Sequence, residues 1–143
     1  FLFFKDKKGF LQAARFAISG MTIFLIVCTI FPNGLNLRPV TFERDNIFIR
    51  LVQFVYKNDT PTNVLPSIHV YNSLAVHIAL AKCKALKNKP AVRYASLVLC
   101  ILICMSTIFL KQHSVLDVIG GFALMAVMYV FIYVIDYKKI IKR

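Results

Sequence analysis

Acidic side chains are scarce in this sequence: six Asp and Glu stand against 18 Lys and Arg, for a formal net charge of +12. So basic a chain suggests a nucleic-acid partner, but the distribution sets that partner aside. Of the 18 basic residues, 13 fall in three segments, Lys5 to Arg15, Lys82 to Arg93 and Lys138 to Arg143, opposed there only by Asp6 and Asp136. Anionic lipid headgroups account better for such clusters. Metal-spaced cysteines are lacking as well. Cys28, Cys100 and Cys104 lie in apolar runs and Cys83 lies beside a basic loop. Cys100 and Cys104 share a helix face, but one helical turn cannot be bridged without distortion, so all four read as small packing residues. There is no internal repeat, low-complexity tract or Pro/Gly-rich linker, and residues 1–143 read as a single domain. An initiating Met is missing, and Phe1-Leu2-Phe3-Phe4 reads as the tail of a further apolar segment. The chain is therefore expected to be a fragment of a longer protein.

What is abundant is apolar sequence: 59% of residues are hydrophobic, with a mean hydropathy of +0.69. A hydrocarbon core about 30 Å thick needs roughly 20 apolar residues in a helix. Four stretches approach or reach that length: 11–31, 66–82, 91–110 and 114–137. The second is the shortest and most polar. The expected fold class is all-α, a polytopic transmembrane helical bundle of about four spans. If each span crosses once, the three basic segments share one side, which the positive-inside rule makes cytoplasmic. Both termini are then inside, and the 32–65 loop and the Lys111-His113 turn are outside. Pro32-Asn33-Gly34 ends the first span in a turn. Within the loop, Ile47, Phe48, Leu51, Val52 and Val55 recur at helical spacing between Asp45 and Tyr56. This predicts an amphipathic helix, either in the membrane interface or packed on the spans.

Ionisable residues inside spans are costly and ask for a functional account. His69 lies one turn inside the outer end of the second span, and His113 and Asp117 lie at the outer end of the fourth. The topology brings both histidines to one membrane face. On a helix, His113 and Asp117 would stack four residues apart. Such a carboxylate fixes one imidazole tautomer and leaves the other nitrogen free as a lone pair, while a second histidine can protonate a leaving oxygen. The same spacing also serves as a purely structural hydrogen bond. Pro66-Ser67-Ile68-His69 adds a hydroxyl and a helix N-terminus, which attracts phosphate. Arg38 and Lys111 are cations on the same face, although basic residues at a membrane edge also contact headgroups. Phosphoryl transfer is largely positioning and charge stabilisation, and this set supplies both without a metal or other cofactor. His77, two turns deeper than His69, reads as a helix-contact residue. Gly120-Gly121 reads as a site of close helix approach. Tyr129, Phe131 and Tyr133 read as lipid-facing or interfacial.

These residues resemble the type 2 phosphatidic acid phosphatase superfamily. Its signature has three parts: Lys, six residues, Arg-Pro; then Pro-Ser-Gly-His; then Ser-Arg, five residues, His, three residues, Asp. Here Pro66-Ser67-Ile68-His69 matches the second part, and Ser106-Thr107 with His113 and Asp117 matches the spacing of the third. The first part stands as Arg38-Pro39, with Phe31 at the lysine position. The resemblance implies that His113 is a nucleophile forming a phosphohistidine, that Asp117 orients it, and that His69 is the acid for the leaving alcohol. Arg38 and Ser67 would hold phosphate oxygens. Thr107 occupies the position of a family arginine, for which Lys111 is a candidate replacement. Family members typically have six helices, which agrees with two spans preceding this start. The departures at Phe31, Ile68 and Thr107 resemble inositol phosphorylceramide and sphingomyelin synthases.

The leading expectation is a metal-independent lipid phosphate phosphatase at the extracytoplasmic membrane face. Its partners would be a lipid phosphate substrate and the surrounding lipids. A phospho-headgroup transferase shares the first step but uses an alcohol acceptor. A non-catalytic membrane protein with structural histidines is the third reading. Oligomeric state is not legible.

Overall fold

The computed structural model describes residues 5–135. The Phe1–Phe4 segment, Asp136, the last residue of the 114–137 span and the Lys138–Arg143 cluster lie outside the described residues. Among the described residues five α-helices follow in order: α1 (Lys7–Ile30), α2 (Ile47–Asn58), α3 (Ile68–Lys82), α4 (Pro90–Phe109) and α5 (Val115–Tyr129). A 3₁₀ turn, Lys84–Leu86, joins α3 to α4, and α5 runs on into a π-helical turn, Val130–Val134. The only β pairing among the described residues is one isolated bridge, Gly34 with Thr62.

Three of these helices are long and apolar enough to cross a membrane: Lys7–Ile30, Pro90–Phe109 and Val115–Val134. They carry exposed Ile18, Leu25, Leu99, Leu102 and Val127, the outward apolar surface that lipid requires. The expected 66–82 span is the 15-residue α3. At 1.5 Å per residue it covers only about 22 Å, less than the hydrocarbon thickness of about 30 Å. Helix α3 packs against α1, α4 and α5 together, so it is the central post of the bundle. An expectation of about four spans thus resolves into three full-length helices and a short central one.

The helix ends follow from their caps. Asp6 accepts from the Gly9 amide at 2.9 Å, so α1 starts a turn before its apolar run. The other Asp6 oxygen accepts from the Lys84 amide at 3.2 Å, tying the start of α1 to the α3–α4 connection. The Lys7-Lys8 and Lys84-Lys87-Lys89 groups therefore share one end of the bundle. Pro90 opens α4 at a position where its missing N–H costs nothing.

The core lies between α1, α3 and α5. Phe16, Tyr71, Ala75 and Met128 are buried together. The Phe16 and Tyr71 rings lie 5.2 Å apart, and Tyr133 meets Phe16 edge-on at 5.5 Å. Tyr133 and Tyr129 pack on this core, with Lys82 Nζ over both rings at 5.3 and 5.1 Å. Phe131 is exposed, whereas the two tyrosines are partly buried against the core at the end that carries Lys82. The Tyr71 hydroxyl donates to the Phe16 carbonyl at 2.6 Å, and a Cβ at Gly20 would fall inside the Tyr71 ring. Overpacking of this kind typically costs about 1–3 kcal/mol. Gly20→Ala is expected to lower the thermal midpoint in detergent by several degrees, and an unchanged midpoint would show that α1 and α3 do not approach this closely.

His77 contacts the neighbouring helix as read from the sequence: its Nδ1 lies 2.9 Å from the Ser96 hydroxyl of α4. The four cysteines are free. A cleft of about 720 Å³ between α1 and α3, lined by alanines and Met21, contains neither catalytic candidate.

Candidate active site

The site forms at the end of the bundle opposite the Asp6–Lys84 tie. Asn33, just past α1, is the organiser. Its Oδ1 accepts from the Val64 and Leu65 amides at 2.7 and 2.9 Å, and its Nδ2 donates to the Leu65 carbonyl at 3.3 Å. The Asn63 amide donates to the Asn33 carbonyl at 2.6 Å. These bonds pin residues 63–65 over the end of α1 and so aim the start of α3.

Ser67 caps α3. It is fully buried, its Oγ accepts from the Val70 amide at 3.4 Å, and its amide donates to the Asp117 carbonyl at 2.9 Å. That last bond joins the N-terminus of α3 to the first turn of α5. The two helices approach because residue 121 has no side chain. A Cβ there would sit 2.7 Å from the Ser67 carbonyl and 3.1 Å from Val70 Cβ. At Gly120 a Cβ would meet mainly the tip of Leu65, at 2.9 Å. Gly121→Ala is therefore expected to part α3 from α5 and cut activity by roughly 10–100-fold, since misplacement by about 1 Å can cost that much. Gly120→Ala should do much less, because the Leu65 side chain can swing away. Equal effects from both would separate the glycine contact from catalysis.

His113 is held from the α4 side. Thr107 is buried, its hydroxyl donates to the Cys104 carbonyl at 2.8 Å, and its own carbonyl accepts from the Gln112 and His113 amides at 2.9 and 3.1 Å. The turn between them has Lys111 in the left-handed region at φ 50°. Through these constraints the His69 and His113 rings come to 5.5 Å between centroids, inclined by 64°. Both line a polar cavity of about 170 Å³, together with Asp59, Thr62, Asn63 and Gln112. On the same measure one water needs roughly 10–15 Å³, so there is room for a phosphate group. His69 is solvent-exposed and His113 is buried at 6% exposure.

Asp117 departs from the stacked arrangement expected on a helix. Helix α5 begins only at Val115 with Ser114 as its N-cap, so His113 precedes the helix. The Asp117 carboxylate closes a capping box: its Oδ2 accepts from the Ser114 amide at 2.6 Å, while the Asp117 amide donates to Ser114 Oγ at 3.2 Å. His113 Nδ1 stands 4.0 Å from the same Oδ2, beyond hydrogen-bond range, and has no hydrogen-bond partner among the described residues. Burial and the neighbouring His69 push the His113 pKa down from its ordinary value. Asp117, the Val64 backbone and Asp59 pull the other way, less strongly.

The cations lie apart from the histidines. Arg38 Nη2 donates to Asp59 Oδ2 at 2.6 Å. Its Nη1 reaches the carbonyls of Asp59 and, at 3.4 Å, Tyr56, and its guanidinium lies 4.8 Å from the centre of the Tyr56 ring. Arg38 thus closes the end of α2 and contacts the cavity wall through Asp59. Lys111 is exposed and does not line the cavity. Sequence reasoning missed Asp59, Gln112 and Asn33. No motif flags them, since Asp59 and Gln112 meet across 53 residues, Gln112 Nε2 donating to Asp59 Oδ2 at 3.0 Å.

An all-helical membrane protein with paired histidines in one polar cavity is what the fold and geometry define. The family model for the PAP2 superfamily matches residues 13–141, nearly the whole chain, and the chain belongs to that superfamily, the type 2 phosphatidic acid phosphatases. It is thereby a membrane enzyme of the phosphatase or phosphotransferase type. No curated protein and no solved structure matches it.

Proposed function

We propose that the chain is a lipid phosphate phosphatase that works through a phosphohistidine, without a metal, at the extracytoplasmic membrane face. The observation that carries this reading is the convergence of His69 and His113 in one polar cavity with room for a phosphate group. The depressed His113 pKa keeps its imidazole neutral near pH 7 and its lone pair available. Nδ1 faces Asp117, which leaves Nε2 to attack phosphorus. The P–N bond forms as the P–O bond to the lipid alcohol breaks, and His69, as general acid, gives a proton to the departing oxygen. Water then attacks the phosphohistidine, His69 takes back a proton, and inorganic phosphate leaves with His113 restored. The first amides of α3 have no intrahelical acceptor and, with Ser67 holding the turn, offer donors to phosphate oxygens. Arg38 and Lys111 are the proposed cations: Lys111 would have to turn toward the cavity, and Arg38 would have to exchange the Asp59 carboxylate for phosphate. The lipid tail would remain in the bilayer.

Transfer to a lipid or polyol alcohol is the second reading. It is favoured by Thr107, whose buried, helix-bonded side chain stands where a phosphate-binding arginine is expected. The test measures phosphate release from a short-chain lipid phosphate in EDTA, with and without an added labelled alcohol. Release of inorganic phosphate supports hydrolysis, and label in the alcohol supports transfer. Neither product, together with a protein that never carries phosphate on His113, would sink both readings and leave a structural role for the histidines.

A further inference from the structure

The cavity wall carries an anomaly for a phosphate site. Among the described residues no Lys or Arg lines it, and the one charged lining side chain besides the histidines is the carboxylate of Asp59. That carboxylate is held by the groups a phosphate would seek. Asp59 Oδ2 alone accepts from both Arg38 Nη2 and Gln112 Nε2. With Nη1 on the Asp59 and Tyr56 carbonyls, Arg38 meets the carboxylate through one oxygen only, whereas a guanidinium fork matches phosphate with two parallel bonds. Arg38 Nε is buried with no acceptor among the described residues, so the guanidinium still has a donor to satisfy. The Arg38 side chain is 12% exposed, while that of Asp59 is 37% exposed. The acid is the partner free to swing out.

We propose that Asp59 is an internal stand-in for the substrate's phosphate: it engages Arg38 and Gln112, is displaced when a phosphate group enters, and returns to expel the product phosphate. This rests on the reading of the cavity as a phosphoryl-transfer site and adds a residue that sets its phosphate affinity. A dianionic phosphate must displace a carboxylate and then tolerate it nearby, so the observed affinity is lowered by the fraction of protein in the released state. Product release benefits from the same competition. Gln112, one residue before the proposed nucleophile, passes from carboxylate to phosphate in the exchange, and no bond to phosphorus is involved.

The experiment is calorimetric titration of the purified full chain in detergent with inorganic phosphate, in the wild type, Asp59→Asn and Asp59→Glu. The Asn variant is expected to bind phosphate about tenfold more tightly, a difference of about 1.4 kcal/mol, and the Glu variant to stay near the wild type. In turnover, inorganic phosphate should inhibit the Asn variant at correspondingly lower concentration. Equal or weaker binding by Asp59→Asn, with helix content intact by circular dichroism, overturns the proposal and makes Asp59 a positioning partner of Arg38. Should the Asn variant lose helix content, Asp59→Ser carries the same comparison. If no variant binds phosphate, the proposal also falls. Turnover is read separately. A wild type that forms phosphohistidine, with affinity indifferent to residue 59, rejects the stand-in and keeps the phosphatase. Tighter binding without turnover keeps the stand-in and rejects the phosphatase.

Discussion

Replacement of His113 by glutamine is expected to abolish turnover, lowering phosphate release by on the order of 10⁴-fold or more, because removing a nucleophile removes the covalent route altogether. Glutamine keeps a polar side chain of similar reach, and the backbone bonds from the His113 amide to Thr107 do not depend on the ring. The folded protein should therefore survive the change. In the wild type, rapid quenching without acid should trap phosphate on residue 113, and the His113→Gln protein should trap none. His69→Gln should differ in kind: the phosphohistidine forms slowly with a poor leaving group and faster with an activated one, since only the acid is lost. Wild-type pH dependence offers a second check. Burial and His69 hold the His113 pKa below its ordinary value, which is about 6.5. The proposed nucleophile stays neutral as pH falls through that range, and the acid limb of the rate is expected to lie lower. The sign for stability is the same: the unfolded chain binds this proton first, so stability is full above about pH 6.5 and falls as pH drops through the folded pKa. Activity in His113→Gln within tenfold of the wild type would leave the paired histidines as structural residues.

How much of this was legible depended on the range over which each feature is encoded. Long apolar runs report helices directly, and α1, α4 and α5 stand close to the runs that announce them. Boundaries were off where caps decide them. Helix α1 starts at Lys7 because Asp6 caps it. Helix α2 starts at Ile47 because Asn46, not Asp45, holds the Ile49 amide, Asp45 being paired with Arg50. The amphipathic reading of α2 held: it buries no residue and leaves Ile47, Phe48, Leu51 and Phe54 exposed. The two histidines were placed at one end by counting spans, and the structure brings them together. His113 and Asp117 are not stacked on one helix, because Ser114-Val115-Leu116-Asp117 forms a capping box that starts the helix after His113, a pattern readable in the sequence. The position of Arg38 was not legible. Its engagement depends on Asp59 at the far end of α2, and nothing local in Leu37-Arg38-Pro39 encodes a partner 21 residues away.

Asp117→Asn is expected to cut turnover by roughly 10²–10³-fold while leaving the fold in place, the range in which positioned acid–base partners act. Asp117 has two structural duties that asparagine can keep. Its carbonyl accepts from the Ser67 amide, which is indifferent to the side chain, and an amide oxygen can still accept from the Ser114 amide. Loss of the charge at the first turn of α5 should cost no more than about 1 kcal/mol. The duty that asparagine cannot keep is electrostatic. In the proposed mechanism His113 becomes cationic as the P–N bond forms, and the buried Asp117 carboxylate, 4.0 Å from Nδ1, is the nearest counter-charge shown for it. Catalytic hydrogen bonds often tighten only once the substrate is bound, and here a small rotation of the His113 ring would bring Nδ1–H onto Oδ2. The cap and the counter-charge can be told apart with Ser114→Ala, which breaks the hydroxyl half of the capping box at a cost near 1 kcal/mol but leaves the carboxylate. That variant should melt earlier with nearly normal turnover, whereas Asp117→Asn should melt near the wild type and turn over slowly. If Asp117→Asn instead keeps its rate and loses stability alongside Ser114→Ala, Asp117 is a helix cap, and the cation formed on His113 must find its compensation in the phosphate itself.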